Sequence, residues 1–325
     1  MKLVRRRFLS LAAGAVALPA ISRMAQAQSY PSRPVHLVVG VAAGGSVDIF
    51  ARLISQSLSQ RLGQSFVVDN RPGAGTNIAT EAVVRAPADG YTLLLVAAPN
   101  AINATLYERL NFDFARDIAP VASIGRVPLV MVVNPRVPAR TVPEFIAYAK
   151  ANPSKINMAS GGVGTTPHVA GELFKMMAGI NMVHVPYRGA GPAIADLIAG
   201  QVQVLFAGTP EAMEHIRTGR LRPLAVTGTT RSSVMADVPT IGDHLPGYEA
   251  SGFFGVGAPR NTPAEVIDRL NKEINAALAD PKIKERLADL GGAVIPSSPV
   301  DFGKLIVDET QKWAKVIRFA GIKAE

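Results

Sequence analysis

Val35-His36-Leu37-Val38-Val39-Gly40-Val41-Ala42-Ala43-Gly44-Gly45-Ser46-Val47-Asp48 decides how this chain reads. The apolar, β-branched run over 35–39 predicts a buried strand. From 46 to 62, Val47, Phe50, Ala51, Ile54 and Leu58 recur at the spacing of one helix face. A glycine-rich turn joins the two. A helix start leaves backbone N–H groups unpaired and carries partial positive charge. Glycines let a ligand come close to those groups. The turn is therefore an anion site in outline. The alternative is a turn whose Ser46 or Asp48 only caps its own helix.

The same order continues outward. Strands are expected at 66–68 and 92–97 with a helix at 77–85 between them, a βαβαβ run that predicts a parallel sheet flanked by helices. The pattern then restarts with a strand at 128–133. Thr141-x-x-Glu144 is a capping box opening a helix that stops near Asn152-Pro153. Strands at 156–159, 182–185, 202–206 and 224–226 alternate with helices at 166–177, 192–199 and 210–218. An apolar run at 253–258 reads as a strand returning the chain to the first unit. Three helices close the sequence, one opened by Thr262-Pro263-Ala264-Glu265 as a second capping box and the last carrying the single tryptophan, Trp313. The expectation is an α/β protein of two closely joined domains, 28–125 with 252–325 and 126–251. The crossings near 121–133 and 253–258 would form the hinge.

A second glycine-rich turn occupies the equivalent place in the second unit: Ser160-Gly161-Gly162-Val163-Gly164-Thr165-Thr166-Pro167-His168. It lacks the lysine of a phosphate loop and is no full G-x-G-x-x-G. One such turn is weak evidence. Two, one per domain, could hold one small anion between paired helix N-termini, each contributing roughly 0.3–1 kcal/mol when exposed. Asp69-Asn70-Arg71-Pro72-Gly73-Ala74-Gly75, Pro186-Tyr187-Arg188-Gly189-Ala190-Gly191-Pro192 and Phe206-Ala207-Gly208-Thr209-Pro210 also follow strand ends. Arg71 and Arg188 could grip a carboxylate bidentately, or simply form surface ion pairs.

Composition narrows the class. The chain has 325 residues and a formal charge of +9, but Lys2, Arg5, Arg6, Arg7 and Arg23 lie in the first 27 residues, where no acidic residue stands. Beyond them, 29 basic residues face 25 acidic ones, scattered, with no basic stripe for nucleic acid. Basic residues, an apolar run over 8–20 and Ala25-Gln26-Ala27 follow the order of an export signal, with cleavage expected after Ala27. Arg5-Arg6-Arg7-Phe8-Leu9 fits a twin-arginine pattern as well as an ordinary Sec signal. No cysteine is present, which excludes disulfides, thiol nucleophiles and Cys-ligated zinc.

V-A-A-G-G-S-V-D, D-N-R-P-G-A-G, A-P-N-A-I-N-A-T-L-Y, S-G-G-V-G-T-T-P-H, V-P-Y-R-G-A-G-P-A and D-L-I-A-G-Q-V, in that order, resemble the Bug family. These are the TctC-like extracytoplasmic solute receptors of tripartite tricarboxylate transporters. The resemblance runs from about Pro31 to the C-terminus. It implies a two-domain type II periplasmic binding-protein fold closing over a small carboxylate, held by loop amides, hydroxyls and waters instead of an arginine clamp. On that pattern Ala43, Gly44, Gly45, Ser46 and Asp48 contact the ligand from domain one. Ser160, Gly161, Gly164, Thr165, Thr166 and His168 contact it from domain two. Tyr187 and Gly208 complete the candidate set. The family often has Pro and an aromatic residue where this chain has Gly40 and Val41, and a polar residue at Val163. Both departures favour a ligand with some apolar surface. Dicarboxylates, tricarboxylates, aromatic carboxylates and amino acids all remain open.

The expected protein is thus a periplasmic receptor, monomeric, without metal or cofactor, delivering its ligand to membrane permease subunits. A receptor signalling to a sensor kinase is the alternative, and an exported α/β hydrolase is a third reading. Against catalysis, there is no H-E-x-x-H and no G-x-S-x-G. Glu211, Glu214 and His215 share a helix face but read as a solvated one. A pairing of Ser160 with His168 stays open, with His168 read as a helix residue shaping the cleft.

Overall fold

The first apolar run forms β1 (Val35–Val39), buried at four of its five positions. Burial on both faces explains why it reads as a continuous apolar stretch and not an alternating one. The computed structural model describes residues 30–44 and 46–324. The export segment, its cleavage position and Gly45 lie outside the described residues, and of Ser46 only the helical placement is described.

Beyond β1 come α1 (Ser46–Leu62), β2 (Phe66–Asn70), α2 (Asn77–Val84), β3 (Thr92–Ala97), α3 (Ala98–Leu106), α4 (Phe114–Asp117) and β4 (Ile118–Val127). Pro128 alone separates β4 from β5 (Leu129–Val133). The second series is α5 (Val142–Ala151), β6 (Asn157–Ser160), α6 (Thr166–Ala178), β7 (Val183–Pro186), α7 (Ala190–Ala199), β8 (Val204–Gly208), α8 (Thr209–Arg217) and β9 (Arg222–Val226). The chain returns through β10 (Gly252–Pro259) and ends with α9 (Ala264–Leu278), α10 (Pro281–Asp289), β11 (Ala293–Val294) and α11 (Pro299–Ala320).

Two sheets result. One has the order β11-β4-β10-β3-β1-β2 and the other β7-β6-β8-β5-β9. Each contains three parallel strands from its βα units, β3-β1-β2 and β7-β6-β8. Next to each set lies a strand that has crossed from the other lobe, β10 or β5, and it pairs antiparallel on both sides. Parallel pairing is therefore confined to the βα repeats, because a crossing strand enters its sheet from the opposite end. The crossings are β4 to β5 at Pro128 and the run from β9 into β10, so the two-strand hinge joins adjacent strands β4 and β10.

Two local expectations change. Thr141 Oγ accepts from Glu144 N–H (3.3 Å), but the Glu144 carboxylate turns to Arg140 N–H (2.7 Å), so that box is half formed. Thr262 caps nothing: its hydroxyl donates to Pro259 O (2.8 Å), and Pro263 is the N-cap of α9. Turn formation behind the proline competes successfully for the hydroxyl.

The core does not stop at the lobe boundary. One apolar cluster includes Val38 and Leu94 of the first sheet, Met131 and Phe206 of the second, and Trp313 of α11. The α11 helix packs on α3 and β4 of the first lobe and on α6 of the second. Beside the hinge, Arg126 bonds Glu249 (2.7 Å) and Glu309 (2.9 Å), and Lys312 reaches the same two carboxylates (2.8 Å each). This quartet ties both crossings to α11. Burial pushes the Glu249 carboxyl up, but Lys312 and Arg126 outweigh it and hold the group at about 2.

Candidate functional site

The turn after β1 is organised by one buried carboxylate. Asp48, 2% exposed, accepts from Gly44 N–H (2.9 Å), Arg52 Nε (2.9 Å) and Asn70 Nδ2 (2.9 Å). Asn70 also donates to Val41 O (3.0 Å), which ties the turn to the end of β2. Burial pushes the Asp48 carboxyl up; the bonds from Arg52, Gly44 and Asn70 outweigh it, so it stays ionised below the usual range. Asp48 thus holds the turn from beneath. Ala43 and Gly44 are exposed at its crest, with Gly44 at φ 93°, where an L side chain is strained.

The turn after β6 rests on a buried polar stack. Ser160, fully buried, has its Oγ 2.6 Å from His184 Nε2, accepts from Gly162 N–H (3.2 Å) and donates to Gly162 O (3.0 Å). The rings of His168 and His184 stack at 3.5 Å with 9° between planes. Gly164 N–H donates to His168 Nδ1 (3.1 Å), which requires the Nε2–H tautomer, and that N–H points toward Glu172 at 3.7 Å. Burial, then His184 and Lys175, drive His168 down to about 3; burial and Lys175 drive His184 down to about 4. Both rings are neutral at pH 7. The serine–histidine pairing raised for Ser160 and His168 is made by His184 instead.

The strand ends meet at a cleft of two chambers that share Pro99. One, of about 230 Å³, is lined by Val47, Ala98, Pro99, Thr166, Pro167, Ala190, Pro210 and Glu211 among others. These residues belong to the first turns of α1, α3, α6, α7 and α8. Five helices from both lobes therefore direct their positive ends at one small space. The second chamber, about 220 Å³, lies between Gly40, Val41, Gly73, Gly75 and Thr76 on one side and Val163, Gly164 and Thr165 on the other, with Asn103, Leu106 and Tyr107 in its wall. Among the described residues, no lysine, arginine or histidine lines either chamber.

Of the candidate residues, Gly164, Thr165, Thr166 and Gly208 line the cleft. Asp48, Ser160 and His168 are buried beneath the two turns, and their polar atoms are engaged with the turns themselves. Ala43, Gly44 and Gly161 belong to the turns without lining a chamber. The Tyr187 hydroxyl donates to Asp196 (2.7 Å), and burial with that carboxylate raises it to about 12, so it acts as a brace for α7. Arg71 lies 3.9 Å from Asp69 and lines neither chamber, and Arg188 is exposed outside both, so neither clamps the cleft.

Residues 50–322 match the model of the tripartite tricarboxylate transporter family receptor. The protein BugT of Bordetella pertussis is 37% identical over 320 residues, covering 98% of this chain and 98% of BugT. A protein of R. palustris solved with adipate is 38% identical with a TM-score of 0.78, over 90% of this chain and 99% of that one. The periplasmic binding protein BugD is 33% identical with a TM-score of 0.75, over 91% of this chain and 100% of that one. The chain belongs to the tripartite tricarboxylate transporter receptor family. It is a solute-binding receptor and not an enzyme, and the family's receptors are periplasmic. Among its described residues no helix is long and apolar enough to cross a membrane.

Several wall residues of this receptor were not among the sequence candidates. Ala98, Pro99, Asn103 and Leu106 come from α3, and Ala97 and Tyr107 flank it; in the sequence this stretch stands out only as a family motif. Its start is a strand end running straight into a helix, the same signal as in the two glycine turns but without glycine. Asn100 supplies the cap, its Oδ1 accepting from Ala97 N–H (2.7 Å). Thr76, at φ 86°, adopts a left-handed conformation rare for a β-branched residue, within a chamber wall.

Proposed function

We propose that this receptor captures a small organic carboxylate between lobes 28–125 with 252–325 and 126–251. It would present the closed, loaded form to the membrane permease subunits of a tripartite tricarboxylate transporter. One observation carries the reading: five helix N-termini from both lobes face one small chamber that, among the described residues, has no cationic side chain. An anion there is stabilised by backbone N–H groups and helix dipoles, and the hydroxyl of Thr166 adds a donor. The adipate held by the R. palustris relative supports the same chemistry. The apolar walls, Val41 and Val163 included, suit a ligand with a short hydrocarbon portion. Ligand binding favours closure by its differential affinity for the closed form. In this reading residues 1–27 direct export, the signal is removed after Ala27, and the periplasmic protein acts as a monomer.

The test is a thermal-shift screen of protein refolded to strip carried-over ligand, against mono-, di- and tricarboxylates, aromatic acids and amino acids, with sugars and metals as controls. A ligand at 100 times its Kd adds about 2.7 kcal/mol, which raises Tm by several degrees. The expected result is a shift confined to one class of carboxylate and lost in its methyl ester. Silence from every acid with a shift from a sugar or metal would overturn the proposal.

A further inference from the structure

We propose that Glu211 selects, among small carboxylates, those that also carry a protonated amine, so that the ligand is an amino carboxylate. This rests on the carboxylate reading above and narrows it.

Among the described residues Glu211 is the only charged one lining either chamber, and it is exposed there while the chamber is open. It stands at the third position of α8, and its carboxylate folds back over Gly208, where β8 ends. A Cβ at Gly208 would meet the end of that carboxylate, which would have to swing aside. Among the described residues no Lys, Arg or His lies within ion-pair distance of Glu211. The surrounding wall is apolar: Val47, Val127, Leu129, Phe254 and Leu290. When the lobes close on a ligand, water leaves this chamber. A carboxylate left there without a counter-charge is costly, and a second carboxylate brought beside it is costlier. An ammonium group removes both penalties through a charge-assisted hydrogen bond. The chamber then matches a zwitterion, with helix N-termini for the carboxylate and Glu211 for the amine.

A glutamate at this position also suits its own helix dipole, so the test must separate selection from helix support. Calorimetry would compare matched probes, adipate with 6-aminohexanoate and malate with aspartate, on the wild type, Glu211→Gln and Glu214→Gln. Glu214 is an exposed carboxylate of the same helix outside the chamber, so its variant controls for charge and helix effects. In at least one pair the wild type is expected to bind the amino member about tenfold or more tightly than its amine-free partner. Glu211→Gln should erase or invert that preference, and Glu214→Gln should keep it. Amine-free members that bind as well as or better than their amino partners in the wild type would overturn the inference while leaving the carboxylate reading intact. So would a Glu211→Gln effect equal on both members of a pair. A folded protein that binds none of the acids would overturn the carboxylate reading, and this inference with it.

Discussion

Gly164 and Leu106 face each other from opposite lobes in the wall of the smaller chamber. Gly164 has φ 72°, and a Cβ placed on it would run into Leu106 Cδ2. Gly164→Ala is therefore expected to weaken ligand binding about tenfold or more in calorimetry, with a fold cost of about 1–2 kcal/mol for the left-handed backbone. Adding Leu106→Ala should recover part of the binding but none of the backbone cost. If Gly164→Ala binds normally, the Gly164 turn and Leu106 do not approach each other in the loaded form. The histidine stack carries a second prediction. The folded protein keeps His168 and His184 neutral, at about 3 and about 4, whereas unfolded histidine takes a proton near 6.5. The unfolded state thus binds more protons as pH falls below about 6.5, so stability drops from there toward 4 and is flat above. Urea denaturation at pH 7.5 and 5 should show a loss of about 1–2 kcal/mol per histidine, smaller in His184→Asn. Equal stability at both pH values would mean that the rings are not held neutral.

The elements that matter most for movement are β4, β10 and α11. Arg126 on β4 is 22% exposed and holds Glu309, 4% exposed, together with Glu249 of the second crossing. Arg126→Met would leave two carboxylates sharing Lys312 alone. Removing one partner of a buried pair costs about 3–5 kcal/mol, and partial exposure here lowers the expectation to about 2–4. The measurement is the urea midpoint at constant m-value; a change within experimental error would mean that the quartet is only a surface feature. Glu249 also sets an acid limit. Its folded value of about 2 lies below that of a free glutamate, so its contribution is complete above about 4.5 and lost as pH falls toward 2. Arg126→Met should shift that acid limb upward.

At the scale of the molecule, one apolar cluster reaches residues of both sheets, and α11 packs on both lobes, on β4 and α3 of one and α6 of the other. Two lobes with separate cores would unfold separately. A shared core predicts a single transition, with far-ultraviolet and near-ultraviolet circular dichroism coinciding and the calorimetric enthalpy equal to the van't Hoff value. Two resolved steps would show that the shared layer contributes little. The chain crosses between the two sheets beside Pro128 and before Gly252, so any closure on binding is expected to turn about those crossings. Small-angle scattering should show a reduced radius of gyration with ligand if closure accompanies capture.

The sequence by itself determined the βα repeats, the two glycine turns at strand ends, the crossing at 253–258 and the family. These are local: strand and helix periods, caps and turn glycines act within a few residues of each other. Boundaries moved by one or two residues, as between the strand expected at 202–206 and the observed Val204–Gly208, because pairing with a distant strand sets where a strand stops. Tertiary structure alone decided the rest. β4 contains Pro120 and Gly125 and shows little local strand signal, yet it forms along β10, more than a hundred residues away. The family resemblance implies ligand contacts for Asp48 and His168, but their burial and partners make them supports of the two turns. Glu211 read as one of several solvated charges on a helix face. Only the meeting of five strand ends from two lobes places it in an apolar chamber, because which distant residues share a cavity is set by packing and register, which no local pattern encodes.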